Sequence, residues 1–256
     1  MTTEVRKNCP ECPPEKRASM SIEVDSGLFY CHRCGFRGRV KLTDHISRQK
    51  VFEYLMIDTL PKPISQPFDS YSFDSIDMRA ALRYLKSRNI PEWQIKKYNM
   101  CLCMEGRYKD RIVIYSADQK YFVARSFRKL VSPPYLNPHM PKGKIVFKTY
   151  FGTAPVAVIV EGPFDALRVD QCKFPSIALM TKRATPEQIQ TIRSLTKRAV
   201  VMLDADAHIE SCALYDELHY YIPTSKVLLE KGDPADQQKT FLQEKIYESL
   251  SNLKLG

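Results

Sequence analysis

Five apolar residues, mostly β-branched, stand directly before a breaker in Val156–Gly162 (VAVIVEG), and this run limits the fold most tightly. A short continuous apolar run ending in Gly-Pro reads as a strand buried on both faces, as in a parallel sheet. The pattern then repeats: helix 164–172, strand 176–180, helix 186–195, strand 199–203, helix 210–221 and strand 226–229. Strands alternating with helices indicate parallel βα units. An amphipathic closing helix (Phe241, Leu242, Ile246, Leu250, Leu253) is expected to pack on that sheet.

In open parallel sheets, ligands bind beyond the carboxyl ends of the strands. Glu161 ends the first run, and Asp204 and Asp206 end the run VVML, so three carboxylates should meet at one edge. Taken singly, each acid would serve as an exposed helix cap. Three together repel one another unless a cation sits among them, and Mg²⁺ or Mn²⁺ takes oxygen ligands of this kind. Glu161-Gly162 and, about forty residues on, Asp204-Ala205-Asp206 resemble the Toprim domain. Bacterial and phage DNA primases, type IA and II topoisomerases and some repair proteins and nucleases share that domain. With Asp165 and Ala166, the Glu-Gly-x-x-Asp-Ala form is most similar to the primase branch. Lys231-Gly232-Asp233-Pro234-Ala235-Asp236 resembles that branch's third acidic motif, which implies a second-metal or outer role for Asp233. The chain departs from the family after Asp206, reading Ala207-His208-Ile209 where Ala-Gly is usual.

At the other end, Cys9-Pro-Glu-Cys12 and Cys31-His-Arg-Cys34 are separated by eighteen residues. Paired C-x₂-C knuckles at this distance are the ligand set of a tetrahedral structural zinc. Between them SMSIEVDSGLFY alternates and turns at Asp25-Ser26-Gly27, predicting a hairpin. About 35 residues cannot build an adequate apolar core, so zinc should supply the folding energy. His32 lies within the second knuckle, but four thiolates already close the shell. Arg33, Arg37, Arg39 and Lys41 alternate with Phe29, Tyr30 and Phe36. That mixture suits a single-strand-binding face or hairpin packing with a soluble edge, and the sequence leaves both open. The segment resembles the N-terminal zinc-binding domain of phage and bacterial primases; its all-Cys set is closer to the phage primase-helicases. Cys101, Cys103, Cys172 and Cys212 have no ligand spacing and read as buried thiols.

Charge divides the chain. Residues 78–148 hold 16 Lys and Arg against 4 Asp and Glu, leaving the remainder with 23 against 25. A basic stretch beside an acidic edge suits a polyanion held where divalent ions act. Residues 41–57 read as a short helix, and 58–76, with Pro61, Pro63 and Pro67, as a flexible linker. A helix pair follows, its second member opened by Pro91, and then DRIVIYSADQKYFVARSF as two strands joined at 117–120. Tyr84-Leu85-Lys86, Ile90, Asp110-Arg111-Ile112 and Tyr135-Leu136-Asn137 resemble, in order, the N-terminal subdomain of the primase RNA polymerase domain. The resemblance implies template or nucleotide contacts for Arg111, Arg125, Arg128, Asn137 and Lys148, although Lys148 is closer to Gly152 than in the family.

No apolar run approaches the ~20 residues that span a bilayer, and the start of the chain lacks the apolar core of a signal peptide. The expected protein is therefore an α/β chain of the cytoplasm, bacterial or phage-infected. It comprises a zinc ribbon (1–40), a helix and linker (41–76), a mixed α+β basic subdomain (77–152) and a Toprim, Rossmann-like parallel-sheet subdomain with a C-terminal helix (153–256). The resemblance implies a DNA primase that makes short primers de novo on single-stranded DNA from nucleoside triphosphates. It would carry one structural Zn²⁺ and catalytic Mg²⁺ or Mn²⁺ on Glu161, Asp204, Asp206 and Asp233. No Walker A loop occurs, so a separate replicative helicase is the expected partner. Two alternatives remain: a non-catalytic zinc/Toprim repair or scaffold protein, which has no need of the basic middle, and a Toprim nuclease, which would cleave with the same metals.

Overall fold

The computed structural model describes residues 4–7, 9, 12, 19–23, 28–39, 65–67, 76–103, 108–128, 131–138 and 146–253. The helix expected over 41–57, the turn at 25–27 and Lys41 lie outside them.

Strands β1 (Glu4–Lys7), β2 (Met20–Glu23), β3 (Leu28–Cys31) and β4 (Arg37–Arg39) form an antiparallel sheet in that order. Alternation in β3 sends Phe29 and Cys31 inward and Leu28 and Tyr30 outward. Phe29 meets Phe36 with ring centroids 5.2 Å apart, so these two aromatics are ribbon packing. Tyr30 remains on the surface, edge-on to His32.

A second antiparallel sheet contains β5 (Ser65–Pro67), β6 (Cys101–Cys103), β7 (Arg111–Tyr115) and β8 (Phe122–Ser126). Its first strand falls within the stretch whose Pro and Ser content predicts a linker. Pro67 is tolerated because β5 is an edge strand, where a missing N–H leaves no ladder partner unmet. Helices α1 (Ile76–Ser87) and α2 (Glu92–Lys97) precede the hairpin, with Pro91 as the N-cap of α2.

The third sheet runs β13 (Thr224–Lys226), β12 (Ala199–Val201), β10 (Ala157–Val160), β11 (Ser176–Ala178), β9 (Phe147–Lys148). All are parallel except β9, which runs antiparallel to β11 and so joins this sheet from before the boundary expected at 152–153. Helices α3 (Pro163–Gln171), α4 (Pro186–Leu195), α5 (His208–His219) and α6 (Lys239–Ser251) follow the strands. Val158, Val160 and Val200 pack into a cluster with Phe164, Leu167 and Ile246. Ala157, Ile159 and Val201 enter another with Ile189, Ile192 and Leu214. Both faces are therefore covered, which is why these strands read as unbroken apolar runs. Each buried Val, Ile, Leu or Phe among them contributes about 1.5–3 kcal/mol.

The first of those clusters also contains Leu85, Tyr98, Ile112 and Val123, so the basic subdomain and the parallel sheet share one core. Polar contacts cross the same seam. Gln94 Nε2 donates to the Leu167 carbonyl at 2.7 Å, Gln171 Nε2 donates to Gln94 Oε1 at 2.8 Å, and Lys97 pairs with Asp170 at 2.7 Å. Among the described residues no helix is long and apolar enough to cross a membrane.

Candidate metal centres and the surface around them

Because β10 and β12 are neighbours in parallel register, with Ile159 opposite Val201, their carboxyl ends deliver Glu161 and Asp204 side by side. Asp206 follows on a 3-10 turn, Ala205–Ala207. One oxygen from each of the three lies within 4.8 Å of the others. Glu161 Oε2 and Asp204 Oδ1 are buried and accept no hydrogen bond among the described residues. Burial pushes the Asp204 carboxyl up to about 7, with Glu161 and Asp233 adding repulsion. Glu161 is raised as well, first by burial, against the pull of Lys182. Asp206 is held below the usual range because Lys182 donates to it at 2.6 Å. Buried anionic oxygens with no donor are costly, and a hard divalent cation is the ligand that satisfies a set of this kind.

Asp233 stands beside this group as a cap. Its Oδ1 accepts from Asp236 N–H at 2.9 Å, opening the turn Pro234–Asp236. Gly232, at φ +70°, turns its carbonyl to accept from Ala205 N–H at 2.9 Å, which locks the Asp233 loop onto the Asp204 loop. His208 opens α5 and its Nε2 lies 2.8 Å from the Leu229 carbonyl oxygen.

Asp165 fixes the entry to α3 from within. It is buried, and its carboxylate accepts from Gly162 N–H at 2.9 Å and from Ala235 N–H at 3.1 Å. Burial, then Asp233 and Asp204, push its pKa well above the usual range. A β-carbon on Gly162 would lie 2.7 Å from Asp165 Oδ2. Gly162→Ala must therefore push Asp165 Oδ2, the acceptor of the Gly162 N–H, out of its buried place, and should lower unfolding free energy by about 1–3 kcal/mol in denaturant titration. An unchanged midpoint would show that the carboxyl has room to move.

In the ribbon, one sulfur from each of Cys9, Cys12, Cys31 and Cys34 lies within 4.8 Å of the others. Sγ of Cys9 is 3.5 Å from that of Cys34, and Sγ of Cys12 is 3.7 Å from that of Cys31. A tetrahedron with Zn–S of ~2.3 Å has edges of about 3.8 Å, so the thiols fit zinc. Burial raises the Cys31 thiol, but backbone N–H groups of Cys34 and Arg33 more than offset it and hold it at about 6. His32 is engaged elsewhere, with Nε2 2.7 Å from Ser21 Oγ, so it is outside the shell.

Solved structures show what this assembly is similar to. The zinc-binding and RNA polymerase domains of the Aquifex aeolicus primase share its fold over 97% of this chain and 78% of that one, with a TM-score of 0.59 and 19% identity. The DnaG primase catalytic domain bound to ssDNA matches over 78% and 80%, with a TM-score of 0.59 and 16% identity. This chain has the fold of a DnaG-type primase core. The RNA polymerase domain of Mycobacterium tuberculosis DnaG, in complex with a DNA oligomer carrying an overhang, matches over 70% and 74%, with a TM-score of 0.57 and 14% identity. No family model and no curated protein matches the sequence. Function on a DnaG-type fold must accordingly be argued from the side chains present.

The expected phosphate-binding residues are placed unequally on this primase-type core. Arg111 is buried on β7, and its guanidinium donates to the Pro133 carbonyl at 2.9 Å. Lys148 is buried on β9 and paired with Asp118 at 3.1 Å. Both are turned inward, so in this conformation they brace loops. Arg128 is half-exposed and pairs with Asp77 and with Asp110, the latter at 3.3 Å. Arg125 donates to Tyr84 Oη at 2.9 Å and lies 4.6 Å from the Tyr135 ring centroid. Asn137 keeps a buried Oδ1 with no donor among the described residues.

Two further cations, which the sequence does not mark, stand at the acidic edge. Arg88 lies 5.1 Å above the Phe164 ring and acts on the Asp233 carboxyl through its charge. Lys182 sits on Asp206. The only sequence signal for either is a basic residue just beyond a helix or strand, which is common on surfaces.

Proposed function

We propose that the protein is a DNA primase, a nucleotidyltransferase that joins nucleoside triphosphates into short primers on single-stranded DNA. The observation that carries this reading is the meeting of Glu161, Asp204 and Asp206, two of them with buried oxygens that have no donor among the described residues. A Mg²⁺ or Mn²⁺ ion bound there would stabilise charge on the attacking 3′-oxygen and the leaving pyrophosphate. Glu161 and Asp204, fixed on adjacent strands, would set the ion's position, and Asp233 would hold the two loops around it. Arg125 and Asn137 are the proposed nucleotide contacts, with Arg128 and the exposed cations Arg79, Arg83 and Lys86 of α1 tracking template phosphate. The ribbon would bind one structural Zn²⁺ and meet template through Tyr30 and Arg37, and a separate helicase would supply the unwound strand.

The reading is supported by the ssDNA and overhang DNA named in the two DnaG structures of similar fold. It is tested by incubating the protein with single-stranded DNA, Mg²⁺ or Mn²⁺ and labelled nucleotides. Dinucleotides and longer products are expected. Degradation of the DNA instead would favour the nuclease, and neither reaction would favour the scaffold.

Template binding should be mainly electrostatic. If six or more phosphates are contacted, affinity should fall roughly 10³-fold or more between ~50 and ~200 mM salt. Fluorescence anisotropy of a labelled oligonucleotide measures this directly. A salt-independent affinity would overturn the assignment.

A further inference from the structure

The loop leaving β11 brings two cations, Lys182 and Arg183, to the acidic edge. Its position is built rather than incidental. Met180, at φ +65°, donates its N–H to the Glu161 carbonyl at 2.9 Å. Thr181 Oγ1 donates to the Arg183 carbonyl at 2.8 Å, and Gln188 Nε2 donates to the Leu179 carbonyl at 2.8 Å. The turn is thus anchored on the residue that supplies the first carboxylate. Lys182 Nζ lies 2.6 Å from Asp206 Oδ2, and Arg183 Nε lies 3.5 Å from Glu210 Oε1.

An exposed pair such as Lys182–Asp206, with side chains 48% and 71% accessible, does little for stability. Its effect is on charge. The ammonium faces Asp206, Glu161 and Glu210 together, while Asp204 and Asp233 add further negative charge to the same edge. A polyanionic nucleoside triphosphate is repelled by such an edge unless cations stand at its rim. A lysine on a flexible stem can leave one oxygen for another a few ångströms away. A divalent ion that takes the Asp206 carboxylate removes the partner of Lys182 and repels its ammonium at the same time.

From this geometry we infer that Lys182 is a triphosphate-binding residue held in reserve: it neutralises Asp206 before a divalent ion binds, then turns to the nucleotide's phosphates. The inference rests on the nucleotidyl-transfer reading. Arg183, exposed on the same turn, strengthens the local positive field.

The test measures Mn²⁺ binding and nucleotide binding separately on the full chain. Unbound Mn²⁺ is followed by electron paramagnetic resonance, and ATP or dATP with Mn²⁺ by calorimetry, for the native protein, Lys182→Gln and Lys182→Arg. Removing the competing cation should tighten Mn²⁺ binding by Lys182→Gln about threefold to tenfold. Nucleotide should bind that variant about tenfold more weakly, and Lys182→Arg should restore it. Native-like nucleotide affinity in Lys182→Gln would overturn the phosphate role, and unchanged or weaker Mn²⁺ binding would overturn the reserve role. If the native protein binds Mn²⁺ but no nucleotide, the nucleotidyl-transfer reading itself fails and takes this inference with it.

Discussion

Asp204→Asn is expected to abolish primer synthesis while leaving single-stranded DNA binding intact. Asp204 contributes an oxygen that is buried, anionic once a metal displaces its proton, and without a donor among the described residues. Asparagine keeps the shape and removes the charge. Loss of a catalytic divalent ion should cost at least ~10³ in rate, or roughly 4 kcal/mol of transition-state stabilisation. The same substitution should act on stability in the opposite sense. Burial holds the folded carboxyl at about 7, above its ordinary 3.8. Between those values the folded state keeps a proton that the unfolded state has released. Metal-free stability from this group is therefore complete at low pH and falls as pH rises towards 7. Asn carries no such penalty, so the melting temperature of Asp204→Asn should exceed that of the native protein at pH 8 and match it near pH 4. Mg²⁺ should raise the native melting temperature at pH 8 and leave the variant unmoved. Near-normal synthesis by Asp204→Asn would mean that the site has been misread.

Zinc removal should have the second large effect. Among its described residues the ribbon buries Met20, Ile22, Phe29 and the thiols of Cys9, Cys12 and Cys31, too small an apolar core to stand alone. Structural zinc sites of this class supply about 10–16 kcal/mol at neutral pH. Cys31→Ser removes a buried ligand thiol that backbone N–H groups hold at about 6, so metal analysis should fall from about one zinc per chain to near none. Amide protons of β1 to β4 should then exchange at unfolded rates while those of the parallel sheet stay protected. Primer extension should survive weakly and initiation should be lost. Protected ribbon amides in zinc-free Cys31→Ser would show that packing alone folds this segment.

Much of this protein is legible because its strongest signals are local. An unbroken apolar run of strand length, a Glu-Gly breaker and a C-x₂-C spacing each report a backbone conformation or a ligand set within a few residues. From those, the order of parallel strands and helices, the four cysteines and the convergence of Glu161 with Asp204 and Asp206 all follow, and the structure brings each together. Small shifts occur at ends, as where the last strand lies at Thr224–Lys226 and not 226–229, since an edge strand has only one neighbour to fix its register.

What the sequence could not fix is what each charge faces after folding. Lys148 meets Asp118, and Arg111 meets the Pro133 carbonyl, because strands and loops distant along the chain close over them. The sequence, and the resemblance that assigns both to template or nucleotide, carry no sign of these partners. The same holds for β5, whose Pro-bearing stretch has no strand signal until Cys101–Cys103 offers it an edge, and for Lys182, four residues past the end of β11 and indistinguishable in sequence from a solvated lysine. Periodicity and spacing are properties of the chain, so the sequence alone determined the fold class and the two candidate metal sets. The partner of a long, flexible cation is a property of the space around it, and only the tertiary structure decided that Lys148 faces Asp118, Arg111 the Pro133 carbonyl and Lys182 the Asp206 carboxylate.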